Sequence, residues 1–192
     1  MKKNFPYLKW KNILLLPLFL MLITSMTTTS VRANPLNVFV DPPTATINAV
    51  GETVTITVNV TAITGCAGFD IRIYYNQSIL SYTNNNYTVD GPGQVFPTTG
   101  VRYFTDASIP GDLYLVLALS QSPPNLINTT GGIVVWITFQ GLMEGVSNLT
   151  FNTGVTGTFV YDSIGNPMTI DNLYPGQITV IPEFPAAILT LL

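Results

Sequence analysis

Thr53-Val54-Thr55-Ile56-Thr57-Val58-Asn59-Val60-Thr61 decides the fold. Every even position is apolar and β-branched, and every odd position is polar. In an extended chain successive side chains point to opposite faces, so this run is a strand with one face on a core and one in water. Asn59 falls on the wet face, where a glycan would be tolerated. The same period continues in Phe69-Asp70-Ile71-Arg72-Ile73-Tyr74-Tyr75. Phe69, Ile71, Ile73 and Tyr75 are expected inside, and Asp70, Arg72 and Tyr74 together on the opposite face.

Working outward, further strands are predicted at Asn37–Val40, Ala45–Ala49, Val101–Phe104, Leu113–Leu119, Ile133–Phe139, Leu149–Phe151, Gly157–Tyr161 and Gln177–Ile181. Turn residues separate them: Asp41-Pro42-Pro43, Gly51-Glu52, Asp90-Gly91-Pro92-Gly93, Pro110-Gly111-Asp112, Pro123-Pro124-Asn125, Gly131-Gly132, Gly165-Asn166-Pro167 and Pro175-Gly176. No helical period of useful length follows residue 33. About nine short strands so spaced give an all-β, antiparallel jelly-roll sandwich. Two strands are apolar on both sides. Leu113, Leu115, Leu117 and Leu119 oppose Tyr114, Val116 and Ala118, while Ile133, Val135, Ile137 and Phe139 oppose Val134 and Trp136. Such strands are either covered twice or present an apolar patch to a partner.

The first 33 residues differ from the rest. Lys2, Lys3, Lys9 and Lys11 precede the apolar run Ile13–Ile23, and Val31-Arg32-Ala33 closes the segment. A basic head, a short apolar middle and a small-residue exit make a secretory signal peptide, with cleavage expected after Ala33. An uncleaved N-terminal anchor is the alternative. The sandwich is placed at 35–181. Residues 182–192, with the run Ala186-Ala187-Ile188-Leu189-Thr190-Leu191-Leu192, read as the start of a membrane anchor, or else as a free apolar tail. The expected location is extracellular, on the cell surface.

Beyond Ala33 the only cations are Arg72 and Arg102, against ten carboxylates, so that part carries −8 although the chain as a whole is −3. This surface repels phosphate backbones and argues against nucleic acid and anionic lipid as partners. Asn-x-Ser/Thr sequons at Asn59, Asn76, Asn86, Asn128 and Asn148 suit an exported, glycosylated surface. Cys66 stands alone, so no disulfide forms within the chain, and a buried inert thiol is expected. Ile63-Thr64-Gly65-Cys66 imitates a lipoprotein box but lacks the preceding apolar segment.

Histidine is absent, which removes imidazole acid–base chemistry and His metal ligation. No phosphate loop, nucleophile elbow or Cys cluster occurs, and no carboxylate pair stands in a glycosidase motif. A binding protein, not an enzyme, is expected, with no cofactor. Calcium held by loop carboxylates and amides such as Asp162 and Asn166 is chemically open, though turn formation explains the same residues.

Gly51-Glu52-Thr53-Val54, then Gly68-Phe69-Asp70-Ile71-Arg72-Ile73-Tyr74-Tyr75-Asn76-Gln77-Ser78-Ile79-Leu80, resembles the first blocks of the cohesin domain. Gly132–Phe139, Asp162-Ser163-Ile164-Gly165-Asn166-Pro167 and Pro175–Val180 resemble its later blocks, so the likeness spans about residues 37 to 181. Ile181-Pro182-Glu183-Phe184-Pro185 resembles the tail of archaeal surface proteins ahead of a membrane anchor. The resemblance implies a nine-stranded jelly roll related to cellulose-binding modules. It also implies a partner of the dockerin type, a calcium-loaded domain often found on polysaccharide-degrading enzymes. Asp70 matches an acidic partner-contacting position; Arg72 and Tyr74 join it by alternation alone. Asn76-Gln77 replaces the family's usual Asp-Pro and alters that turn.

Three roles compete. A flat mixed face with Asp70, Arg72 and Tyr74 would dock a protein. Exposed Trp136 and Tyr114 would stack on sugar rings of a polysaccharide. A glycosylated envelope component would need no site at all.

Overall fold

The structure, a computed structural model, describes residues 34–87, 93–97, 99–120 and 125–182. Residues 1–33, read above as a signal peptide, Asp90-Gly91-Pro92, Pro123-Pro124 and the tail from Glu183 lie outside the described residues. Twelve strands and no helix occur among the described residues. They are β1 (Asn37–Asp41), β2 (Thr44–Ile47), β3 (Thr53–Tyr74), β4 (Leu80–Asn86), β5 (Val101–Asp106) and β6 (Asp112–Leu119). Then follow β7 (Ile127–Gly141), β8 (Gly145–Phe151), β9 (Phe159–Asp162), β10 (Pro167–Met168), β11 (Asn172–Tyr174) and β12 (Gly176–Val180).

The fold is the expected all-β jelly-roll sandwich, and β3 builds most of it. The two strands expected at Thr53–Thr61 and Phe69–Tyr75 are one strand of 22 residues that belongs to both layers. Its first limb pairs with β7 and β1; its second limb pairs with β6 and β9. The transfer occurs where the register slips between Ile63 and Cys66 and again between Cys66 and Gly68, with Gly65 at φ +77°. A bulge adds twist and bend, and here it turns the strand from one layer into the other.

One layer reads β4-β7-β3-β1-β11; the other reads β5-β6-β3-β9, flanked by β10 and extended through β8, β12 and β2. Most pairs are antiparallel, but β1 lies parallel to β11 and β2 parallel to β12. Asp41-Pro42-Pro43 makes this possible: the chain passes between β1 and β2 there, leaving one layer for the other.

The inward faces form one core. Ile56, Val58 and Val60 of the first limb, Phe69, Ile71 and Ile73 of the second, and Leu113, Leu115 and Leu117 of β6 are all buried. Tyr75 and Phe139 meet edge to face at 5.1 Å, as do Phe69 and Phe96 at 5.6 Å. Cys66 is fully buried, as expected, and burial pushes its thiol up to about 11. The doubly apolar strands have a mixed answer. Tyr114, Val116 and Ala118 are half-buried. In β7 a register slip opposite Val58/Asn59 inserts Val134, so Val134 and Val135 are both buried.

Three expectations fail locally. Gly131-Gly132 is not a turn but lies inside β7, where a Cβ on Gly132 would stand 2.2 Å from the Gly93 carbonyl oxygen. Gly157 precedes β9 instead of opening it, and Ala49 falls in the turn after β2. β4, β10 and β11 are strands for which no alternation was visible.

Candidate functional site

Pairing fixes which side chains share the outer face of the β5-β6-β3-β9 layer. Asp70 lies opposite Val116 and Phe159, Arg72 opposite Tyr114, and Tyr74 opposite Asp112 and Thr150. On the edge strand, Phe104 lies opposite Val116 and Asp106 opposite Tyr114. The three residues expected to share a face therefore do so, with Tyr114 beside them.

Arg72 organises the centre. Its Nε donates to Asp112 Oδ1 at 2.8 Å and its Nη2 to Asp112 Oδ2 at 2.5 Å, a two-pronged ion pair. Nη1 donates to Thr156 Oγ1 at 2.7 Å and to the Thr156 carbonyl at 3.2 Å. The guanidinium carbon sits 5.9 Å from the Tyr74 ring centre and 5.8 Å from that of Tyr114, within cation–π range of both. The hydrogen bond to Asp112 drives the Arg72 pKa further up, so the cation is permanent. Beneath it the Thr158 hydroxyl accepts the Arg72 amide proton at 3.1 Å. Each of the three guanidinium nitrogens therefore has a hydrogen-bond partner.

Asp70 is held from the other side. Tyr161 donates its hydroxyl to Asp70 Oδ2 at 2.9 Å. Burial, and next the bond to Asp70, push the Tyr161 phenol up to about 12; burial and the Asp70 charge raise Tyr114 as well. Asn152 Nδ2 donates to the Tyr74 hydroxyl at 3.0 Å. Asp106 caps the following turn through the Ser108 amide at 2.9 Å, and the bonds from Ser108 hold its carboxyl below the usual range. Asp106, Asp112, Arg72, Tyr114 and Ile109 line a small depression. Around it Phe104, Ile109 and Tyr74 are exposed. The result is a face with a hydrogen-bonded charged centre and exposed apolar side chains around it.

Trp136 is not part of it. It sits on the outer side of the opposite layer, paired with Thr57 and Asn86, and is half-buried. Tyr114 and Trp136 therefore share no stacking platform. Asp162 spends its carboxylate on its own turn: Oδ1 accepts the amides of Ile164 and Asn166, each at 2.9 Å. Among the described residues no cluster of three or more metal-type side chains occurs. Of the sequons, Asn76, Asn86, Asn128 and Asn148 are exposed. Asn59 is half-buried, with Oδ1 buried and unpaired and Nδ2 3.5 Å from Asp41 Oδ2, which crowds the wet face assigned to it.

Sequence reasoning missed Asp112, Thr156, Phe104 and Ile109. The nearest of these to Arg72 in sequence is 32 residues away; the β3–β6–β5 register brings in Asp112, Phe104 and Ile109, and the loop between β8 and β9 brings in Thr156.

No family model matches the sequence, and no curated protein matches it. Solved structures do. The sixth cohesin of scaffoldin B from Acetivibrio cellulolyticus, crystallised with a Cel5 dockerin, is 19% identical with a TM-score of 0.60, covering 77% of this chain and 99% of that one. A type I cohesin from Clostridium thermocellum in a dockerin complex is 15% identical at TM-score 0.58, covering 79% and 96%. The non-cellulosomal cohesin of the archaeon Archaeoglobus fulgidus is 13% identical at 0.57, covering 77% and 92%. The sandwich of this chain has the cohesin fold.

Proposed function

We propose that this chain is a non-catalytic protein-binding module of the cell exterior, whose partner docks on the outer face of β5, β6, β3 and β9. The partner is a dockerin-type domain or another surface protein. One observation carries the reading: the charged centre of that face already has all its partners within the chain. Arg72 is clamped by Asp112 and Thr156 between Tyr74 and Tyr114, while Phe104 and Ile109 stay exposed. A preordered Arg and aromatic cluster with an apolar rim loses little freedom on association and has the composition of an interface hot spot. The dockerin complexes formed by neighbours of the same fold support the choice of partner.

The test is calorimetric titration of the full chain with a panel of type I and type II dockerins, repeated with Tyr74→Ala and Phe104→Ala. Saturable binding that both variants weaken by about tenfold or more is expected. Binding indifferent to both changes, or retention on insoluble polysaccharide with no dockerin bound, overturns the reading.

A further inference from the structure

One end of the sandwich is apolar where loops are ordinarily polar. The turn between β2 and β3 and the turn between β7 and β8 lie side by side there, joined by the Gly51 amide on the Gly141 carbonyl at 2.8 Å. Strand β12 finishes at the same end, with the Ile181 amide on the Ile47 carbonyl at 3.0 Å. At the tips Val50, Leu142 and Met143 are each about half exposed, at 45%, 46% and 52%, and they share a shallow cleft with Pro182. Scattered exposed apolar side chains need no explanation, but a cluster of them does. From this rim the sequence continues as Glu183-Phe184-Pro185-Ala186-Ala187-Ile188-Leu189-Thr190-Leu191-Leu192, with one charge in ten residues.

We infer that this end of the sandwich rests on a lipid bilayer, with Val50, Leu142 and Met143 in the interfacial region. Two features select the occupant. The apolar sequence that follows Pro182 starts from within the patch, so a membrane that received it would lie against these same side chains. The charges in the two adjoining turns, Glu52 and Glu144, are acidic, whereas both cations beyond Ala33 lie on strands β3 and β5. The surface therefore suits zwitterionic headgroups and disfavours anionic ones. The strands run away from this end, so the face around Arg72 stands upright on the membrane and is open from the side.

The experiment uses the full chain carrying Met143→Cys, labelled with an environment-sensitive fluorophore; buried Cys66 is shielded from the reagent. A second labelled variant, Ile164→Cys, reports from the opposite end, at the exposed turn after β9 near the Cys66 bend. With phosphatidylcholine vesicles the label at 143 is expected to brighten about threefold and shift to the blue, while that at 164 stays as in buffer. Adding Leu142→Asp should abolish the change, and phosphatidylglycerol vesicles should reduce it. A label at 143 already blue-shifted without vesicles means that the chain's own tail or a second copy covers the patch, and overturns the inference. Vesicle binding with no change at 143, or equal change at both positions, overturns it too. None of these readouts depends on the dockerin reading.

Discussion

The two limbs of β3 obey the same rule inward and different rules outward. Inward, Ile56, Val58 and Val60 on one limb and Phe69, Ile71 and Ile73 on the other are equally buried. Outward, the first limb shows Thr53, Thr55, Thr57, Asn59 and Thr61. Their partners are near at hand: Thr55 and Thr138 share one hydrogen bond at 2.8 Å, and Thr57 donates to the Asp41 carbonyl. The second limb shows Asp70, Arg72 and Tyr74, tied to β6, β9 and the loop after β8. Threonine satisfies a pleated, half-wet surface and asks nothing more. An Arg locked into an ion pair with apolar neighbours left bare does something else. One strand thus carries two outer surfaces, one that only satisfies its own hydrogen bonds and one with a braced charged centre among exposed apolar side chains.

Several measurements would break or sharpen that contrast. The largest effect is expected inside, and equally on both limbs. Phe69→Ala should lower unfolding free energy by about 3–5 kcal/mol, and Ile56→Ala by about 2–5 kcal/mol, in denaturant titrations. A large asymmetry would mean that one limb carries the fold alone.

Next is an alkaline effect at the bend. The Cys66 thiol, raised from 9.0 to about 11, keeps its proton in the folded state while the unfolded chain loses it. Stability is therefore full below pH 9 and falls as pH rises towards 11, by about 2–3 kcal/mol from this group. Tyr161, raised from 10.0 to about 12, adds loss of the same sign above pH 10. Cys66→Ala should flatten the pH dependence between 9 and 11, measured as thermal midpoints across that range.

A smaller effect belongs to the outer face of the second limb. Arg72→Lys retains the charge but not the planar two-pronged bond, and should weaken partner binding by about tenfold while leaving the circular dichroism spectrum unchanged. The smallest belongs to the outer face of the first limb. Replacing Thr55 and Thr138 together by Val should change stability by about 0.5 kcal/mol or less and binding not at all, because both ends of one hydrogen bond are removed at once. A binding defect there would place the interface on the wrong layer.

The inward residues of β3 were legible because burial imposes a period of two on the sequence itself. The grouping of Asp70, Arg72 and Tyr74 followed from the same arithmetic. What that period could not show was continuity through Ile63–Gly68, where slipped register replaces alternation. β4 was missed because Leu80-Ser81-Tyr82-Thr83-Asn84-Asn85-Asn86 has a poor strand composition; it forms as an edge against β7, with a slip between Tyr82 and Asn84. Gly131-Gly132 looked like a turn because glycine marks turns, yet Gly132 is there to admit the Gly93 carbonyl. Asp112, the partner that gives Arg72 its geometry, is 40 residues away, a distance that only register can close.

The parallel terminal pairs have a mechanical consequence. β1 and β2 open the sandwich, β11 and β12 close it, and each opening strand lies alongside a closing strand in the same direction. Leu36 and Asp171 reinforce the seam with a reciprocal pair of bonds: the Leu36 amide to Asp171 Oδ2 at 2.7 Å, and the Asp171 amide to the Leu36 carbonyl at 2.8 Å. Tension drawing the two termini apart would slide these strands lengthwise past each other. The bonds across the seam would then share the load instead of parting one by one as in a peeled hairpin.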